Sequence, residues 1–201
     1  LNANTTAAGN TALGYNALPL TTTGAQNVAV GAYALDANTA NDNTAVGYNA
    51  LTANTSGASN TVVGHAAADA LTTGNYNTAL GRHALSTNST ANANTAIGYF
   101  ALFNATTNIH TAVGFEALKG NTTGDNNTAV GGYALDANTT ADANTAVGYN
   151  ALLANTTGGN NTAVGYQALD SNTTAANNTA VGMQSLAANT TGTQNTAVGK
   201  G

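Results

Sequence analysis

The chain has 201 residues, among them 44 Ala, 36 Thr, 32 Asn and 23 Gly, so four small or short polar types dominate it and the larger apolar residues are too few for a conventional core. Three Lys plus Arg against eight Asp plus Glu give a net charge of −5, which leaves no basic face for phosphates and argues against nucleic acid as a partner. The absence of Cys rules out a disulfide framework or a thiolate site, a single Pro rules out collagen, and no apolar run reaches the roughly 18 residues of a membrane span.

The chain opens on Leu1 and its only Met is Met183, which reads as a stretch of a longer protein. The pattern predicts a single repeat array over 1–201. The signature Asn-Thr-Ala-Val-Gly, with small variations, begins at Asn10, Asn27, Asn43, Asn60, Asn77, Asn94, His110, Asn127, Asn144, Asn161, Asn178 and Asn195. Nine of the eleven intervals are 17 residues and two are 16, and both deletions fall in the second half of a repeat. A full unit reads N-T-A-V-G-Y-x-A-L-x-x-N-T-T-G/A-x-x, as from Asn144 to Asn160.

The second to fourth residues predict a short strand in which Thr and Val share one face and the Ala between them points the other way. The invariant Gly that follows suits a bend or a close backbone approach. Two apolar ladders stand out as the expected core: Val46, Val63, Val113, Val130, Val147, Val164 and Val181 at the fourth position, and Leu51, Leu118, Leu135, Leu152 and Leu169 at the ninth. Helix is disfavoured by the Gly, Asn and β-branched residues inside every unit. A hairpin array is disfavoured because neither Asn-Gly nor Asp-Gly occurs. The expectation is an all-β, parallel β-solenoid (β-roll) of about twelve 17-residue repeats, stacked Asn on Asn and Val on Val, about 58 Å long. Asp36, Asp69, Asp136 and Asp170 in alternate repeats raise an alternative, a flattened coil of about 34 residues that carries two repeats and halves the rod.

The motif Gly-x-x-Asn-Thr-Ala-Val-Gly, at Gly158–Gly165 and Gly192–Gly199, resembles the head repeats of YadA-like trimeric autotransporter adhesins and the repeat arrays of phage tail-fibre proteins. The family's unit is shorter than the one here, by about three residues in one half. The resemblance implies a rigid spacer or adhesive surface made by several chains, outside the cell, on its surface or on a virion. It also implies a host-surface receptor or glycan as partner.

Apart from the resemblance, the few large apolar side chains in each repeat argue for burial between copies, and so for a homo-oligomer, a trimer or an end-to-end filament. The open first and last coils, Leu1 being a ninth position and Gly201 a seventh, fit such a filament. Tyr15, Tyr48, Tyr99, Phe115, Tyr149 and Tyr166, at the sixth position, are the aromatics expected between chains or on the solenoid's flank.

No catalytic, cofactor-binding or metal-binding set is expected, and the chain does not read as an enzyme. His65, His83 and His110 occupy three different repeat positions and are expected to be isolated substitutions. Glu116, Lys119 and the serines form no nucleophile arrangement. The Asp column would bring carboxylates together only in the 34-residue coil. Two surface functions suggest themselves as alternatives. The Thr row at the thirteenth position (Thr122, Thr139, Thr156, Thr173, Thr190) could order water and bind ice, and the Asn-x-Thr sequons at Asn121, Asn138, Asn155, Asn172 and Asn189 could carry glycans.

Overall fold

A computed structural model describes residues 3–201; Leu1 lies outside the described residues. The regular elements among them are twelve strands of three residues each. They are β1 Thr11–Leu13, β2 Val28–Val30, β3 Thr44–Val46, β4 Thr61–Val63, β5 Thr78–Leu80 and β6 Thr95–Ile97, then β7 Thr111–Val113, β8 Thr128–Val130, β9 Thr145–Val147, β10 Thr162–Val164, β11 Thr179–Val181 and β12 Thr196–Val198. All twelve lie parallel in one sheet, ordered as they occur in the chain. Each strand pairs with the next repeat in exact repeat register, Thr145 on Thr162 and Val147 on Val164. One repeat therefore makes one coil, and the 34-residue coil gives way to the simple β-solenoid. The 16-residue units do not disturb this, since Val30 still pairs with Val46 and Ile97 with Val113. The missing residue is absorbed in the loop half of the coil.

The sheet faces inward through the residue between Thr and Val. Ala29, Ala45, Ala96, Ala112, Ala129, Ala146, Ala163 and Ala180 are fully buried. The fourth-position ladder expected in the core is on the outside instead: Val46, Val63, Val113, Val130, Val164 and Val181 are half-buried and Val147 is 36% exposed. The reason is room. The inside of a typical coil already holds the third-position Ala, the eighth-position Ala, the ninth-position Leu and two Asn, and a period of two sends Val to the face opposite Ala. The ninth-position residues Leu51, Leu118, Leu135, Leu152 and Leu169 are fully buried and form the large-side-chain ladder of the core. One coil is repacked as a set: Val62 replaces the inner Ala, Ala68 the ninth-position Leu and Leu71 the twelfth-position Asn, all three fully buried.

The coil turns at corners that the sequence pattern does not advertise. The seventh, ninth and seventeenth positions adopt left-handed backbone, as at Asn150 (φ 57), Leu152 (φ 53) and Asn160 (φ 58). Such angles are uncommon outside Gly. Here the same corner recurs coil after coil and is held by coil-to-coil hydrogen bonds, such as Leu152 N–H to Ala168 O at 3.0 Å. The fifth-position Gly is a different case. Gly148 has φ 138, and a Cβ there would lie 2.6 Å from the Gly165 carbonyl carbon, so the stacked coils leave space for hydrogen only.

Candidate functional site

Inside the coil, two rows of Asn carry the polar structure. Each first-position amide oxygen accepts the backbone N–H of its successor, Asn161 N–H to Asn144 Oδ1 at 2.9 Å and Asn178 N–H to Asn161 Oδ1 at 3.0 Å. In most coils its amide nitrogen donates to the fifteenth-position carbonyl and so closes the coil, as Asn161 does to Ala175 O at 2.9 Å. The second row stands at the twelfth position: Asn155 Nδ2 donates to Asn138 Oδ1 at 3.1 Å and to Gly158 O at 3.0 Å, and Asn172 Nδ2 donates to Asn155 Oδ1 at 3.0 Å. Burying these amides is tolerated because most of their groups find partners above, below or across the coil.

His110 takes the place of a first-position Asn and is buried. Its Nδ1 accepts the Asn127 N–H at 3.2 Å, which fixes the neutral tautomer and leaves Nε2–H to donate to Thr107 Oγ1 at 2.9 Å. Burial is the main influence and lowers its pKa; the Asp125 charge acts in the opposite sense.

The outer surface has four regular features. The strand face carries the second-position Thr and fourth-position Val, with no charged residue from β1 to β12. Beside it runs an aromatic column. Tyr15, Tyr48, Tyr99, Phe115, Tyr149 and Tyr166 are all exposed, Tyr99 least at 37%. They do not stand alone. Tyr33 bridges Tyr15 and Tyr48 with centroids 5.5 and 6.0 Å away, and Tyr133 bridges Phe115 and Tyr149 at 5.2 and 5.8 Å. His65 stacks on Tyr48 at 5.3 Å and touches His83 at 5.7 Å, and His83 stacks on Phe100 at 5.1 Å. Phe100 meets Tyr99, and Tyr99 stacks on Phe115 at 5.2 Å. Rings thus follow one another without a break from Tyr15 to Tyr166. His65 and His83, expected as isolated substitutions, belong to one ladder, and His110 belongs to another.

Tyr33 and Tyr133 lie outside the expected aromatic set, and His83 is expected there only as an isolated substitution, because all three occupy the seventh position. The signal was present: in those three coils the sixth position is Ala32, Arg82 or Gly132, so the ring moves by one residue where its usual place is vacant.

The third feature is the thirteenth-position Thr row. Its hydroxyls are turned back on the protein: Thr122 Oγ1 donates to Thr139 O at 2.9 Å, Thr139 to Thr156 O at 3.1 Å and Thr156 to Thr173 O at 3.0 Å. The fourth is the sixteenth position, where Asn or Asp side chains take backbone N–H groups across coils, as Asp142 Oδ1 does from Asp125 N–H at 2.7 Å.

Charges are sparse. Lys119 and Glu116 pair at 3.0 Å, and the hydrogen bond to Glu116 is the main influence raising the lysine's pKa. Burial holds the carboxyls of Asp136 and Asp170 above their ordinary value. With one repeat per coil, Asp36 and Asp69 lie two coils apart, about 10 Å, as do Asp136 and Asp170. Among the described residues, no group of three or more His, Asp or Glu is placed to hold a metal ion, and no helix is long and apolar enough to cross a membrane.

The sequon asparagines Asn121, Asn138, Asn155 and Asn172 are fully buried members of the inner row, and Asn189 is half-buried with its amide nitrogen bonded to Asn172 Oδ1 at 3.0 Å. None of the five has a free amide nitrogen at the surface.

Together these features define a parallel β-solenoid with a hydrogen-bonded Asn interior and several regular outer stripes. No protein-family model, curated protein or solved structure matches the chain.

Proposed function

We propose that this chain is a rigid segment of an extracellular or virion-associated fibre, acting as a spacer and adhesive display surface through homo-oligomeric assembly. The observation that carries this reading is the uncharged strand face, a flat stripe of Thr and Val extending over all twelve coils, about 58 Å long. A contiguous exposed stripe that carries apolar side chains and no charge is the kind of surface that association covers. Its β-branched side chains on a regular pleat suit face-to-face packing at about 10 Å. The likeness of the repeat to adhesin heads and tail-fibre arrays supports the same reading, with a host-surface receptor or glycan as the further partner.

Electron microscopy of the purified chain with image averaging tests it. Bundles or multi-chain rods with a rise of about 4.8 Å per coil are expected. The triple substitution V130K/V147K/V164K, which touches only outward positions, should disperse them into single rods with an unchanged circular dichroism spectrum. A native chain that stays a single rod at high concentration overturns the assembly reading.

One observation favours a second reading. The second-position Thr side chains on the strand face donate no hydrogen bond to the protein among the described residues, unlike the thirteenth-position row. A flat column of free hydroxyls could order water and bind ice. Thermal hysteresis that disappears in T128K/T145K/T162K would support it, and its absence in the native chain would overturn it.

A further inference from the structure

The fold sorts the Asn-x-Ser/Thr tripeptides into sets with different chemical access. In six of them the Asn is buried in the inner row, including Asn54 and Asn88 as well as the four named above. In three more, one of the two groups a transferase must engage is already occupied. Asn4 Nδ2 donates to Ala7 O, Asn189 Nδ2 donates to Asn172 Oδ1, and the Thr106 hydroxyl of Asn104-Ala105-Thr106 donates to Thr122 O.

Three sequons remain: Asn126-Asn127-Thr128, Asn160-Asn161-Thr162 and Asn177-Asn178-Thr179. Their Asn is at the seventeenth position, an exposed left-handed corner with φ 57, 58 and 62 respectively. Among the described residues neither the Asn amide nor the Thr hydroxyl of these three makes a hydrogen bond within the protein, so both are free. The residue between them turns inward, and Asn and Thr therefore emerge on the same outer side of the coil. A corner that projects its side chain away from the sheet, followed by an outward hydroxyl two residues on, leaves both acceptor groups within reach from one side.

We infer that Asn126, Asn160 and Asn177 are N-glycosylation sites and that the far more conspicuous Asn-Thr-Thr sequons are not. The donor is an oligosaccharide on a polyprenyl diphosphate carrier. Nδ2 forms a bond to the anomeric carbon, the bond from that carbon to the carrier's phosphate oxygen breaks, the diphosphate leaves with the electron pair, and the amide loses one proton. At Asn155, by contrast, a sugar on Nδ2 would have to displace the bonds to Asn138 Oδ1 and Gly158 O inside the coil. Chains modified there do not close. Asn160 and Asn177 stand on neighbouring coils, about 4.8 Å apart, and Asn126 lies two coils from Asn160, so the sugars crowd along one edge of the strand face. This inference rests on the proposed export of the chain.

The test is intact-mass analysis and glycopeptide mapping of the full chain secreted from an N-glycosylating cell line, before and after treatment with peptide:N-glycosidase F. The expected mass exceeds 19.6 kDa and returns close to it on treatment, with sugar at Asn126 and at one or both of Asn160 and Asn177. N126Q should remove one unit, and N160Q combined with N177Q should remove the rest. A secreted chain of unmodified mass overturns the inference, as does sugar on Asn121, Asn138, Asn155 or Asn172 in the folded fraction. A second arm is independent of export. Folded chain from a non-glycosylating host is incubated with purified oligosaccharyltransferase and lipid-linked oligosaccharide, and failure to modify any of the three sites overturns it equally. Microscopy of that unmodified chain tests the spacer reading separately.

Discussion

The twelfth-position row behaves differently in two parts of the same rod. From Asn121 through Asn138, Asn155 and Asn172 to Asn189, every coil contributes an Asn, and each amide nitrogen reaches the oxygen of the one before. Earlier in the chain the row runs Asn38, Asn54, Leu71, Asn88, Ala105, and the amides beside the gaps are left with groups to spare. Asn54 Oδ1 and Asn88 Nδ2 are buried without a partner. The backbone stack is unaffected, because strand pairing is the same in both parts. The lesson is that the sheet and the amide row are separable: the first holds the coils in register, and the second adds stability only where it is continuous. The continuous part is not perfect either, since Asn144 Nδ2 is unpaired where Asn161 also takes the Gly158 carbonyl.

The largest effect should ignore this contrast. Gly148→Ala and Gly81→Ala each place a methyl against the carbonyl of the next coil, at φ 138 and 133, and each should cost about 4 kcal/mol or more in thermal or denaturant unfolding, whichever part of the rod is altered. A clear difference between the two would show that the stack itself is not uniform. The contrast appears next. Asn155→Leu removes three hydrogen bonds, strands Asn138 Oδ1 and leaves Asn172 Nδ2 with its bond to Ala175 O alone, at a cost of about 2–3 kcal/mol. Asn88→Leu removes only the bond to Ala91 N–H and also deletes an amide nitrogen with no partner, so about 1 kcal/mol or less is expected. Equal losses in a chemical denaturation series would abolish the distinction. Tyr33→Ala breaks two edge-to-face contacts in the interrupted part and should cost about 1–2 kcal/mol, measured the same way.

The smallest effect is a pH dependence at the boundary between the two parts. His110 is held neutral, with a folded pKa below the ordinary 6.5. The unfolded chain therefore takes up a proton first as pH falls. The stability associated with a neutral His110 is fully present above about pH 6.5 and declines as pH drops toward the lower folded pKa. His110→Asn restores the row's usual residue, and the part of the decline in Tm between pH 7 and pH 5 that belongs to this group should vanish; an unchanged profile would show that His110 does not contribute.

Much of the architecture could be read from the repeat. The period, the parallel stacking and the position of the strand followed from the indels and from the invariant Gly, because backbone pairing tolerates deletions only outside the strand. The inside and the outside of the strand did not follow. Val is the more apolar residue, and assigning Val46 or Val147 to the core is the natural inference from hydrophobicity; volume overrules it, since a coil this narrow accepts Ala and a single Leu. The polar interior was equally hidden. Asn121, Asn138, Asn155 and Asn172 look like surface residues by composition, and only the placing of Nδ2 and Oδ1 on adjacent coils makes their burial favourable. The aromatic column was half visible, because its sixth-position members recur and its seventh-position members fill the gaps irregularly. The candidate surfaces, which depend on which way each side chain points, were correspondingly harder to read than the fold.

The coil-to-coil register also sets how the molecule would respond to load. Every pairing links a residue to one 16 or 17 positions away, so no contact ties distant parts of the chain together. Tension applied along the axis would be relieved by peeling a coil at a time from an end, each release freeing about 50 Å of chain while the rest stays wound. A solenoid built this way yields in small, repeated steps and can rewind on the template of the coils that remain.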